Sequence, residues 1–200
     1  MKNGAKPTTS QVNVGQFQET FKQFAKEGKD LLYVAFSSVL SGTYQSAVMA
    51  RDLVLEDYPE AVIEIVDPKA AGIGEGYLVM RAVAARDAGR SLAEAKEEIM
   101  DLAPKLRTYF SSMISITLCG EAVSQKVLRS WEVWPSIKPI LWIDAEGNWS
   151  QLAGSRTQKA CPRITELIKA DIGESTALVS YTNDLEGAEA LKQEMLALEG

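Results

Sequence analysis

The chain contains no histidine. Within one chain this excludes Ser-His-Asp and Cys-His catalysis and any histidine-ligated metal. A general base would have to be a carboxylate, a lysine or a group on a ligand. Cysteine is scarce: there are 2, Cys119 and Cys161, and their spacing makes neither a disulfide framework nor a metal site. Both are expected to be buried thiols. No apolar run approaches the ~20 residues that a membrane-spanning helix needs. The polar start, Met1-Lys2-Asn3-Gly4-Ala5-Lys6-Pro7, is no secretory signal. No stable membrane anchoring is expected, and the expected location is the cytoplasm. Basic residues are outnumbered, 21 Lys and Arg against 27 Asp and Glu, for a net charge of −6. That balance argues against nucleic acid, whose binding needs clustered Lys and Arg.

What remains is an ordinary globular composition, 46% hydrophobic and 24% charged over 200 residues. This length allows one or two domains and a real core. Asn13 with Gln16 forms a capping-box pattern, and Phe17, Phe21 and Phe24 follow at helical spacing to about Lys26, with Gly28 beyond. A strand is predicted over 31–36, a helix from about Gly42 to Glu56, and a short strand over 62–66. A helix from Ile73 to Ala88 closes at Gly89, and Ser91 with Glu94 caps another that runs to about Leu102. This alternation predicts a parallel sheet covered by helices, the first domain, residues 1–105.

The pattern changes after Pro104. Thr108 to Ile114 reads as a strand, Gly120 to Trp131 as a short helix or loop. Ile137 to Ile143 and Trp149 to Ala153 flank Asp144-Ala145-Glu146-Gly147-Asn148, a hairpin loop. A helix from about Thr157 to Ala170 carries Pro162 in its first turn, where proline is tolerated. Ala177 to Tyr181 reads as a strand, and Asn183 with Glu186 caps a last helix. Residues 106–200 are therefore expected to form a second, mixed α/β domain.

The most informative segment is Phe36-Ser37-Ser38-Val39-Leu40-Ser41-Gly42-Thr43-Tyr44-Gln45-Ser46-Ala47. It places a cluster of hydroxyls between the carboxyl end of a strand and the amino end of a helix. Open α/β sheets bind ligands there, and a helix amino end with unpaired N–H groups suits an anion. Ser41 by itself also reads as a helix cap. Gly42 fits either a close approach of backbone to ligand or a tight turn. Ser37 and Ser38 read as groups that order the loop. Gly72, Gly74 and Gly76 lack the spacing of a dinucleotide fingerprint. The four tryptophans, 131, 134, 142 and 149, read mainly as packing residues.

The stretch from Ser37 to Ala47 resembles the S-S-x-L-S-G-T-x-x-S-A pattern of the DegV family of fatty-acid-binding proteins. Thr9-Ser10-Gln11-Val12-Asn13-Val14-Gly15-Gln16-Phe17 resembles the family's T-S-Q segment, with valines where its prolines usually stand. Ile65-Val66-Asp67-Pro68-Lys69 and Ile137-Lys138-Pro139-Ile140-Leu141 are weaker matches. The resemblance implies a two-domain protein that is not an enzyme. Such a protein holds one long-chain fatty acid between its domains, uses no other cofactor, and presents the carboxylate to a separate fatty acid kinase. It implies Thr9 and Ser41 as carboxylate contacts, with Ser10 and Gly42 beside them. One or two tryptophans could line the acyl tunnel, and Arg156 is carried as an anion or partner contact.

Two departures qualify it. Where the family usually carries G-G-R-I-S this chain has Gly120-Glu121-Ala122-Val123-Ser124, which alters a surface that would dock the kinase. A leading strand with D-S-T and a closing H-x-G-P-G segment are also missing. That leaves open a remnant or interaction module that binds no lipid, and predicts weaker binding and association through an unpaired sheet edge. A hydrolase with Ser41 as nucleophile is the remaining alternative, but the flanks are not G-x-S-x-G and no histidine is there to activate it.

Overall fold

The computed structural model describes residues 9–111, 137–156, 160–171, 176–181 and 184–197. The first half alternates as expected: α1 (Val14–Lys26), β1 (Leu31–Val34), α2 (Thr43–Asp57), β2 (Ile63–Val66), α3 (Ile73–Asp87) and α4 (Leu92–Leu102). Strands β1 and β2 are parallel, with Leu31 opposite Ile63 and Val34 opposite Val66.

Side chains alternate across this sheet, so each strand feeds two cores. On one face Ile63 and Ile65, with Leu31 and Tyr33 beside them, pack on Phe17 and Phe21 of α1 and on Ala47, Ala50 and Val54 of α2. Phe17 meets Tyr33 edge-on with ring centroids 5.1 Å apart. On the other face Val34 and Val66 pack on Leu78 of α3 and Ile99 of α4. Helices therefore cover both faces of the sheet.

Local signals set the helix starts. Asn13 and Gln16 cap α1 reciprocally, and Ser91 and Glu94 do the same for α4. Each box satisfies N–H groups that the first turn leaves without partners. Glu98 of α4 pairs with both Arg81 and Arg90, which ties α3 to α4.

The second half is built on an antiparallel sheet in the order β3 (Tyr109–Ser111), β4 (Ile137–Ile143), β5 (Trp149–Arg156). The hairpin joining β4 and β5 forms over the predicted residues. Asp144 organises its loop, accepting from the Asn148 N–H at 2.8 Å and from the Ser150 hydroxyl at 2.8 Å. Helices α5 (Ala160–Asp171) and α6 (Leu185–Leu196) follow, linked by a hydrogen bond from the Thr165 hydroxyl to Glu194 at 2.8 Å. Pro162 is the third residue of α5 as described, consistent with a first-turn position.

Two expectations are corrected. Residues 176–181 form no strand. A strand exists through its ladder, and no described segment pairs with this one. Leu178 and Tyr181 are exposed, so no packed face compensates. The last helix is capped by Asp184, whose carboxylate accepts from the Gly187 N–H at 3.0 Å. The cap was expected one residue earlier, and Asp serves the role as well as Asn. The segment from Gly120 to Trp131, both cysteine side chains, Trp131 and Trp134 lie outside the described residues.

Candidate carboxylate site at the start of α2

The chain leaves β1 at the carboxyl edge of the parallel sheet and turns through residues 37–42 into α2. Ser37 anchors the turn. Its N–H donates to the Ala70 carbonyl at 2.8 Å, and its own carbonyl accepts from Leu40 at 3.0 Å and Ser41 at 3.1 Å. Ser37 is fully buried, and its hydroxyl donates to the Gly147 carbonyl at 3.0 Å.

Ser38 is held from the other side. The Asp67 carboxylate accepts from the Ser38 N–H at 3.2 Å. Lys69 Nζ donates at 2.6 Å both to Ser38 Oγ and to Asp67 Oδ2. Lys69 itself sits at φ 55°, a region that side chains other than glycine rarely adopt. Its ammonium contacts and the bond from its N–H to Asp67 at 3.3 Å hold it there. Burial alone would raise the Asp67 pKa. The hydrogen bonds from Lys69, from the Ser38 side chain and from two backbone N–H groups outweigh burial and hold it below the usual value.

Ser41 stands one residue before the cap. Gly42 is the N-cap of α2, and no side chain caps the helix from that position. The expected capping role of Ser41 is therefore displaced rather than lost. Its Oγ accepts from the Thr43 N–H at 3.2 Å and shares a hydrogen bond with Thr43 Oγ1 at 2.9 Å. A hydroxyl has one donor and two acceptor lone pairs. When Thr43 donates through both groups, the Ser41 O–H is left to donate outward, and Ser41 is partly exposed. The first turn of α2 carries no acidic residue, so nothing there opposes an anion beside its unpaired N–H groups.

The second motif lies against this turn. Gln11 Nε2 donates to Ser46 Oγ in the first turns of α2 at 3.1 Å. A Cβ at Gly42 would meet Gln11 Oε1 at 2.5 Å, so Gln11 crosses directly over the cap. Thr9 and Ser10, both exposed, precede it in the same segment. Arg156 ends β5, opposite Ile137, about 20 Å along the strand from the hairpin loop that touches Ser37.

Sequence reading singled out Ser41 and Thr9 but gave no role to Gln11, Asp67, Lys69 or Gly147. The first three lie inside quoted motifs, so a signal was present. Gly147 offered only a hairpin glycine.

A separate open groove of about 590 Å³ is lined by Val62, Glu64, Ser91, Lys96 and Met100, among others. It lies at the amino edge of the sheet, away from the turn, and its Lys96–Glu64 pair is satisfied internally at 2.7 Å. No cluster of three or more metal-ligating side chains occurs among the described residues, and no described helix is long and apolar enough to cross a membrane.

Fold and turn define an α/β protein with a hydroxyl-lined helix start at the carboxyl edge of a parallel sheet. A family profile described as "uncharacterised protein, DegV family" matches residues 1–114. A DegV domain-containing protein of Streptococcus pyogenes serotype M1 is 50% identical over 200 residues, covering 100% of this chain and 70% of that relative. The chain belongs to the DegV family. Among solved structures, the Streptococcus pneumoniae fatty acid kinase (Fak) B3 protein, loaded with linoleic acid, superposes with a TM-score of 0.84 at 21% identity, covering 97% of this chain and 68% of that one. A Thermus thermophilus DegV family protein, described by its fatty acid binding, superposes with a TM-score of 0.77 at 26% identity, covering 98% and 69%. The two-domain α/β fold expected from sequence is thus the fold of these proteins.

Proposed function

We propose that this protein binds one long-chain fatty acid between a domain of residues 1–105 and a domain of residues 106–200. It presents the carboxylate to a separate fatty acid kinase and performs no chemistry itself. The observation that carries this reading is Gln11 lying across Gly42 and bonding Ser46, which sets the Thr9-Ser10-Gln11 segment against the turn that holds Ser41. Thr9 and Ser41 donate their hydroxyls to the carboxylate, and the N–H groups at the start of α2 add their partial positive charge. Ser10 and Gly42 complete the surroundings. Arg156, distant along β5, serves as a partner contact.

The energetics suit this role. An acyl chain gains about 0.8 kcal/mol per buried CH₂, so a long chain gains roughly 10 kcal/mol before the costs of binding. A carboxylate drawn in with it must be hydrogen-bonded. The neighbours named for fatty acid binding and for a fatty acid kinase support both ligand and partner. Such a carrier works in the cytoplasm and needs no metal or further cofactor.

Native mass spectrometry after incubation with oleate tests the reading. One bound oleate is expected on the wild type and a reduced share on Ser41→Ala. Bare protein in saturating oleate would leave the interaction-module alternative, and turnover of an activated ester would favour the hydrolase.

A further inference from the structure

The hairpin loop between β4 and β5 touches the first half of the chain through Gly147. Ser37, fully buried, spends its hydroxyl on the Gly147 carbonyl across 110 positions of sequence. Gly147 is buried at φ 86°. A Cβ there would lie 2.6 Å from Ser37 Oγ and 2.9 Å from Lys69 Cβ. The glycine is therefore required twice, by its backbone angle and by the closeness of the two residues beneath it.

Those two residues shape the turn. The Ser37 carbonyl receives the N–H of Ser41 at 3.1 Å and of Leu40 at 3.0 Å. Lys69 fixes Ser38 through its ammonium at 2.6 Å. The loop pressing on them is stiff: Asp144 takes the Asn148 N–H and the Ser150 hydroxyl, and the Gly147 N–H donates to the Asp144 carbonyl at 2.9 Å. A rigid loop held against the anchor of a turn sets that turn's conformation.

We infer that Gly147 and Ser37 are positioning residues for the carboxylate site: the hairpin loop of the second sheet clasps the turn and fixes where Ser41 stands. The inference rests on the fatty-acid reading for its functional consequence but not for its structural one. The clasp makes ligand affinity depend on the docking of the second half of the chain, although neither residue touches the carboxylate.

The experiment uses the full chain with Gly147→Ala and Ser37→Ala, oleate as the probe, and amide hydrogen exchange at Leu40 and Ser41. Exchange at those two amides is expected to rise about tenfold in either variant beyond any rise in the interiors of α3 and α4, which reports the change in global stability. Oleate affinity is expected to fall about tenfold. Combining either substitution with Ser41→Ala should lose little beyond Ser41→Ala alone, because both act through the same hydroxyl. Additive losses, or unchanged exchange at Leu40 and Ser41, would overturn the inference. Should Gly147→Ala fail to fold, Ser37→Ala removes only one hydroxyl and supplies the same readouts. If the wild type binds no oleate, the fatty-acid reading falls, and exchange alone then decides the clasp.

Discussion

Gln11 lies across Gly42, with its amide oxygen 2.5 Å from where a Cβ would stand and its nitrogen bonded to Ser46. Two segments separated by a helix and a strand meet in that contact. A side chain at position 42 would push the Gln11 amide aside and disturb its bond to Ser46, which sets the Thr9-Ser10-Gln11 segment against the turn. Gly42→Ala is therefore expected to weaken oleate binding several-fold with little change in melting temperature, because the obstructing atom is the end of a flexible side chain. Calorimetric titration and a thermal melt on the same sample separate the two effects.

Ser41→Ala removes a hydroxyl that satisfies the Thr43 N–H and, in the proposed role, meets the carboxylate. The expected stability loss is about 1 kcal/mol, in the range of a lost cap. The expected loss in fatty-acid affinity is larger. Equal affinity beside a lowered melting temperature would reduce Ser41 to a residue that ends a turn.

Ser37→Ala leaves the buried Gly147 carbonyl without its donor, which costs about 1–3 kcal/mol. Chemical denaturation measures it. A loss well under 1 kcal/mol would show water replacing the hydroxyl.

Asp67 gives the turn a pH dependence. Its folded pKa lies below the ordinary value, because the bonds from Lys69 and Ser38 outweigh burial. A depressed carboxylate pKa contributes stability that is full above the unfolded value of about 3.9 and is lost as pH falls through the folded value. Asp67→Asn should therefore be less stable than wild type at pH 7, and the difference should shrink as pH drops below about 4. Melting temperatures of both proteins across that range check the sign.

Local features were legible in the sequence because they are decided locally. Asn13 with Gln16 and Ser91 with Glu94 specified helix starts within four residues, and both boxes form. The short apolar runs at 31–36 and 62–66 were legible as strands, and β1 and β2 form within them. The strand expected at Ala177 to Tyr181 failed because a pattern of side chains supplies no ladder partner. At the site, the hydroxyl turn announced itself, but the cap fell on Gly42 rather than Ser41, a choice of backbone angles that composition does not reveal. The Ser37–Gly147 bond was illegible. Its acceptor is a main-chain carbonyl, which any residue carries, and its partners lie 110 positions apart. Lys69 at positive φ was hidden too, since lysine gives no signal for that conformation.

The central claim is that hydroxyls at the start of α2 hold the carboxylate of a long-chain fatty acid. Titration of wild type and Ser41→Ala with oleate and with oleyl alcohol, which has the same chain without the charge, tests it most directly. The account predicts that the wild type binds oleate at a ratio of one to one and the alcohol far more weakly, and that Ser41→Ala loses most of this preference. Equal affinity of the wild type for acid and alcohol, or no binding of either, would contradict it.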